Sequence, residues 1–216
     1  MDSRDVNRVL KRLVWDKLRG HGFVERTART AWRRREHTID VVNFQSFNAY
    51  LAERIAATTF SFSVRLGVAY LAGPDDEWML HPPSDRPRET ECQARRTPRK
   101  GVAQKVLAPR RRWFAVDPSA DEWEERNMDR PDVWFVEPDG RNTEWLATDA
   151  LAQIIAQGMP WFDELADLDR AIEIFRTREA TNLAPGIGGD FYGGALGSPN
   201  RFRTVASLQA KRGVIS

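Results

Sequence analysis

In the first 20 residues, Val6, Val9, Leu10, Leu13, Val14 and Leu18 recur at spacings of three and four with Arg and Lys between them. This spacing predicts an amphipathic helix with one apolar stripe. Ser3 or Asp5 is placed to cap it, and Gly20 or Gly22 to end it. Trp15 lies beside the stripe, and the outward Arg and Lys read as a solvated basic face. The period then changes. Phe23 to Ala28 can enter a first strand, Thr30 to His37 follows, and Ile39 to Phe44 reads as a partly buried strand. Ser46 to Ala57 is expected to be a loop or short irregular stretch. From Thr59 to Leu71, Phe60, Phe62, Val64, Leu66, Val68 and Tyr70 alternate with Thr59, Ser61, Ser63, Arg65, Gly67 and Ala69. Such a period of two predicts a strand with one buried face, and short connections favour antiparallel pairing.

Residues 73 to 90 hold four Pro and many charges and predict a loop, and Glu91 to Lys100 is polar and Arg-rich. Arg112 to Val116 and Val133 to Val136 are apolar runs too short for helices and read as strands or edges. Between them, Asp121 to Arg130 reads as an acidic turn or a single helical turn. Beyond Gly140 the spacing becomes helical. Thr143, Leu146, Leu151, Ile154 and Ile155 form one amphipathic segment, broken near Gly158 and Pro160. Trp161, Phe162, Leu165, Leu168, Ile172 and Phe175 form the next. Ala184 to Asn200 contains six Gly and two Pro and predicts a loop. Phe202, Val205, Leu208 and Ala210 predict a closing helix before Gly213. The order is that of an α+β fold: an N-terminal amphipathic helix, an antiparallel sheet of about five strands, and C-terminal helices packed on the sheet. Residues 1–180 are expected to form a single domain, with the Gly-rich loop and last helix of 181–216 packed on it.

Composition narrows the class. With 41% hydrophobic and 30% charged residues, eight Trp and eleven Phe, the chain has the means to build a packed core and does not resemble a disordered one. A single cysteine, Cys92, excludes an internal disulfide framework and fits a reducing compartment. No stretch approaches the roughly 18 apolar residues of a membrane span, and the charged N-terminus lacks a signal-peptide core. The expectation is a soluble, cytoplasmic protein with no membrane contact. The net charge of +2 hides an asymmetry: residues 1–120 carry +9 and residues 121–216 carry −7. The two halves can pair in the fold or present two faces to partners.

Candidate chemistry is sparse. His21, His37 and His81 stand at no ligand spacing, so neither a metal nor a cofactor is expected. Cys92 lies near Arg95 and Arg96, which could lower a thiol pKa; the alternative is a lone, semi-buried Cys on a strand. The Gly186 to Gly197 stretch has neither the Lys of a phosphate-binding loop nor the third Gly of a dinucleotide fingerprint. Asp163, Glu164, Asp167 and Asp169 make an acidic helix face. Arg33 and Arg35, Arg95, Arg96 and Arg99, and Arg110 and Arg112 could form one basic patch beside Trp32 and Trp113, although adjacent strand residues point to opposite faces. Asn43, Gln45 and Arg65 either bond a neighbouring turn or line a small pocket.

The run Ile39-Asp40-Val41-Val42-Asn43-Phe44-Gln45-Ser46 resembles the D-x-[IV]-N-F-Q-x-S segment of an uncharacterised bacterial family, a domain of unknown function called DUF4304. Phe60 to Val68 is similar to its F-T-V-N-L-G-[IV] strand, and Glu91 to Arg95 to its following polar segment. The opening helix ending Gly20-His21-Gly22-Phe23 also fits. The resemblance runs to about Phe175. It departs where Arg65 replaces the usual Asn and where Ser46 follows Gln45 without a gap. It implies a small standalone bacterial protein with the look of an immunity protein, and it brings no catalytic residues. The expected function is therefore a non-enzymatic module that binds another protein, as an immunity protein neutralising a toxin or as a defence accessory. The alternatives are a nucleic-acid-associated protein using the Arg-rich face, or a hydrolase with a carboxylate site drawn from Asp121, Glu122, Glu124 or Asp163.

Overall fold

A computed structural model describes residues 2–55, 57–71, 84–104, 106–109, 123–126, 130–177, 190–192 and 198–215. Helix α1 (Ser3–Leu10) is capped by Asp2 rather than Ser3 or Asp5. The Asp2 carboxylate accepts from the amides of Arg4 and Asp5, and Asp5 accepts in return from the Asp2 amide. The helix continues through a π turn (Lys11–Trp15) into the single turn α2 (Asp16–Leu18). The π turn has a cause in the sequence. Val6, Leu10, Val14 and Leu18, all fully buried, are spaced by four, and in a regular α-helix that spacing drifts by about 40° per step. One wider turn rotates the stripe back onto the sheet. Gly22, with φ at +90°, ends the segment.

The main sheet has six antiparallel strands in the order β1 (Glu25–Arg26), β2 (Thr30–Arg34), β3 (Thr38–Ser46), β4 (Phe62–Tyr70), β5 (Ala94–Arg96) and β8 (Asp190–Tyr192). A separate two-stranded ribbon joins β6 (Val106–Pro109) to β7 (Trp123–Arg126). The fold is α+β. Several local expectations change. Thr59 and Phe60 form a turn, so β4 begins at Phe62. Within the expected loop 46–57 lies helix α3 (Ala49–Arg54), nucleated because the Asn48 side chain accepts from the Leu51 amide at 2.8 Å. Residues 123–126 form a strand where a turn was expected, because β6 supplies their backbone partners. Asp190 to Tyr192, inside the expected Gly-rich loop, add to β5 in the same way. The expected strand over Arg112 to Val116 lies outside the described residues.

Strand β4 is central and buried on both faces. Phe62, Val64, Leu66, Val68 and Tyr70 point into the main core, with the helices. Gly67 and Ala69 lie on the other face, where Trp32, Ile39, Val41, Ala69 and Cys92 form a second cluster. The segment before Cys92 covers that face: the Trp32 indole donates to Pro87 O at 2.9 Å. A Cβ at Gly67 would stand 2.5 Å from Cys92 Sγ. The one-sided burial expected from alternation is thus replaced by burial on both sides.

Helix α4 (Thr143–Gln153) runs through a second π turn (Ile154–Gly158) into α5 (Met159–Ala166). The expected break near Pro160 is absent. The proline follows just after the π turn, where the widened backbone accommodates its missing N–H. Leu146, Ala150, Ile154, Gly158 and Phe162 are again spaced by four and buried, whereas Ile155 is exposed. Asp167 then caps α6 (Leu168–Thr177) by accepting from the Arg170 amide at 2.9 Å. The last helix, α7 (Ser198–Ile215), runs past Gly213, and its Val205 and Leu208 join the main core. An aromatic row binds helix to sheet: Trp15 meets Phe44 edge-on at 5.2 Å, Phe44 meets Phe62 at 5.2 Å, and Phe62 stacks on Trp134 at 5.8 Å.

Candidate partner-binding site

The expected charged faces are largely consumed within the fold. Asp40, fully buried on the helix-covered face of β3, accepts from both Arg33 Nε and Arg35 Nε at 2.8 Å. Arg35 also pairs with Asp163 of α5, and Arg33 NH2 lies 3.7 Å from the same carboxylate. The Arg33 guanidinium stands over Phe23 at 5.0 Å and Phe162 at 5.5 Å. Burial pushes the Asp40 carboxyl up, and the two arginines offset that only in part. On the helices, Glu164 pairs with Arg170 at 3.3 Å and Asp169 with Arg212 at 2.9 Å, while Asp167 serves as a cap. Arg33 and Arg35 from the expected basic face, and Asp163 from the acidic one, therefore meet each other.

The remaining basic candidates are dispersed. Arg96 faces the helices, where NH1 donates to Gln157 O at 3.2 Å and the guanidinium lies over Trp161 at 5.2 Å. Arg95 is on the opposite face, across from Gly67, in the field of Glu89. Arg99 is exposed, its backbone held by the Gln157 amide. Arg110 and Arg112 lie outside the described residues, as do Asp121 and Glu122. Asn43 and Arg65 are direct cross-strand neighbours, and Gln45 lies opposite Ser63. Asn43 Nδ2 donates to Thr30 Oγ1 at 2.8 Å, Arg65 NH1 to Thr97 Oγ1 at 2.9 Å, and Gln45 is exposed. Cys92 is buried, and burial pushes its thiol well up despite Arg95. It is therefore not an activated nucleophile.

Free positive charge gathers elsewhere, on the outer side of α1 and around β1. Two clefts flank Arg26. One, of about 510 Å³, is lined by Trp15, Asp16, Arg19, Val24, Glu25 and Arg86 as well as Arg26. The other, of about 400 Å³, lies between α1 and the turn after β1, lined by Arg4, Asn7, Arg8, Lys11 and Arg26. Among the described residues Arg4, Lys11, Arg19 and Arg26 have no salt bridge, whereas Arg8 pairs with Asp5 and Arg86 with Glu25. The outward spacing of Arg4, Arg8, Lys11 and Arg19 was visible in the sequence as a basic helix face. What it did not show is that a two-residue edge strand brings Arg26 alongside.

A family model matches residues 14–164. The chain belongs to that family, a domain of unknown function, DUF4304. The match takes in the two strands that carried the resemblance and the larger cleft, whereas Arg4, Asn7, Arg8 and Lys11 precede it. Neither the curated proteins nor the solved structures contain a match to the chain. Among the described residues no cluster of His, Cys, Asp and Glu could hold a metal ion, and no helix is long and apolar enough to cross a membrane.

Proposed function

We propose that this chain is a non-enzymatic module that captures an acidic protein partner on the surface formed by α1 and β1. The observation that carries this reading is the concentration of cations without carboxylate partners around Arg26, whereas Arg33 and Arg35 are held by Asp40 and Asp163. A protein suits the surface better than a nucleic acid does. Asp16, Glu25 and the exposed Val24 stand among the arginines of the larger cleft, so a continuous run of phosphates would meet carboxylates, whereas a mixed protein surface complements them. A bacterial immunity protein or defence accessory acting in the cytoplasm is a cellular role consistent with such capture.

The test is a tagged pull-down from nuclease-treated lysate at physiological salt, run with wild type and with an Arg19→Glu/Arg26→Glu variant. One stoichiometric protein with an acidic surface, retained by wild type and lost by the variant, is the expected result. Retention unchanged in the variant, or retention of nucleic acid alone from untreated lysate, overturns it.

A further inference from the structure

Strand β1 forms one end of the six-stranded sheet, and among the described residues no strand lies beyond it. The pairing fixes which of its backbone groups are free. The Thr27 amide donates to Thr30 O, so in the alternation of an antiparallel pair Glu25 and Trp32 exchange bonds, whereas Arg26 and Ala31 do not. The Arg26 N–H and C=O therefore point out of the sheet, at an exposed residue, where an added strand can pair with them. Register also sets the Arg26 side chain on the face of Ala31, the face that the helices cover. There the edge is flanked by the two clefts, one lined by Arg19 and the other by Arg4 and Lys11. An edge this short offers few backbone bonds, so a strand bound to it needs side-chain contacts as well. A second copy of the chain would set Arg26 against Arg26 and is disfavoured by like charge.

We infer that β1 accepts an extended segment of a partner protein as an added edge strand, one that carries Asp or Glu at every second position. Its backbone bonds to the Arg26 N–H and C=O. Its acidic side chains, on one face and about 7 Å apart, enter the clefts towards Arg19 on one side of Arg26 and towards Arg4 and Lys11 on the other. The intervening residues face Glu25, which already holds Arg34 and Arg86, and need carry no charge. The inference rests on the reading of the α1 and β1 surface as the partner-binding surface, and adds the form of the bound segment. Backbone pairing selects an extended peptide and alternation selects its sequence, neither of which surface cations alone would do.

The experiment is isothermal titration of the full chain with a capped peptide of about eight residues alternating Thr and Glu, and with two derivatives N-methylated at every Glu or at every Thr. Methylation removes backbone donors and leaves the charge unchanged. The parent should bind saturably. One derivative should match it, and the other should bind about tenfold more weakly, the factor expected when a hydrogen bond is lost and Arg26 O is left without its donor. Loss on methylating Glu means an antiparallel added strand, because the residue facing Arg26 then exchanges bonds with it; loss on methylating Thr means a parallel one. Equal binding by all three peptides, equal loss in both derivatives, or no saturable binding of the parent overturns the inference. Arg26→Thr removes the charge and keeps the outward N–H, whereas Arg26→Pro removes both at an edge where the sheet does not use that N–H. Arg26→Pro should therefore bind the parent peptide about tenfold more weakly than Arg26→Thr, and equal affinities overturn the inference; circular dichroism confirms that both variants fold. Partner capture lost in Arg19→Glu/Arg26→Glu, with all three peptides bound alike, leaves the basic surface standing and removes only the added strand.

Discussion

Gly67 and Lys100 show how much single residues carry here. At Gly67 a methyl group would collide with Cys92 Sγ at 2.5 Å and approach Glu89 Cα at 3.3 Å. The segment over the second sheet face thus depends on a missing side chain. Gly67→Ala should cost about 1–3 kcal/mol, as overpacking does, read as a drop in the urea midpoint with an unchanged slope. Lys100 is half-buried, with Nζ 4.9 Å from the Phe135 ring centre and 3.5 Å from Gln104 Oε1. Burial lowers its pKa from 10.5 to about 8, more than Asp132 and Asp149 raise it. The folded chain therefore releases this proton at lower pH than the unfolded chain does. The charged form is penalised in full below about pH 8, and the penalty is relieved as pH rises from there towards 10.5. Wild type should gain stability across that window relative to Lys100→Met; parallel curves for the two proteins would show that the amine is not desolvated.

At the level of elements, ion pairs and helix register divide into strong and weak positions. Asp40 is inaccessible and holds two arginines, while Asp163 is mostly exposed at 63%. Removing a buried partner strands the remaining charges, so Asp40→Ala should cost about 3–5 kcal/mol. Asp163→Ala, its charge screened by water, should cost no more than about 1 kcal/mol. Thermal melts of the two variants measure the contrast. The second π turn makes a similar distinction between neighbours. Ile154 is fully buried and Ile155 exposed, so Ile154→Ala should cost about 2–5 kcal/mol and Ile155→Lys less than about 0.5 kcal/mol. Comparable losses at both positions would mean that the helix carries straight on through this segment.

Across the whole molecule, the excess of base in the first half and of acid in the second becomes partly internal pairing. Arg35 meets Asp163, and Arg12 meets Glu144. Among the described residues, Arg4, Lys11, Arg19 and Arg26 have no salt bridge and line the two clefts around Arg26. Capture of the proposed partner should therefore weaken as salt is raised from about 0.05 to 0.5 M, because exposed charges are screened over about 10 Å at 0.1 M. The same series with Arg19→Glu/Arg26→Glu should be nearly flat. A wild-type affinity indifferent to salt would point to an apolar interface instead.

The alternation of β4, the amphipathic start and the helical end were legible because a period of two or of three to four residues is a local property of the chain. The family resemblance was legible in the same strands. The π turns were present as strict spacings of four, but a stripe reads as one helix until packing against a sheet requires it to stay aligned. Strands at 123–126 and 190–192 could not be read, since neither run alternates and each is held by backbone partners on another strand, for 190–192 almost a hundred residues away. The candidate site divides along the same line. Cross-strand register set Asn43 beside Arg65, a pairing that no spacing along the chain encodes. The consumption of Arg33, Arg35 and Asp163 by one another was a tertiary outcome. Sequence by itself determined which segments are amphipathic, and with them the α+β class. Only the tertiary structure decided which charges are cancelled and which remain, because Coulomb energy and desolvation depend on distance and burial that no spacing along the chain encodes.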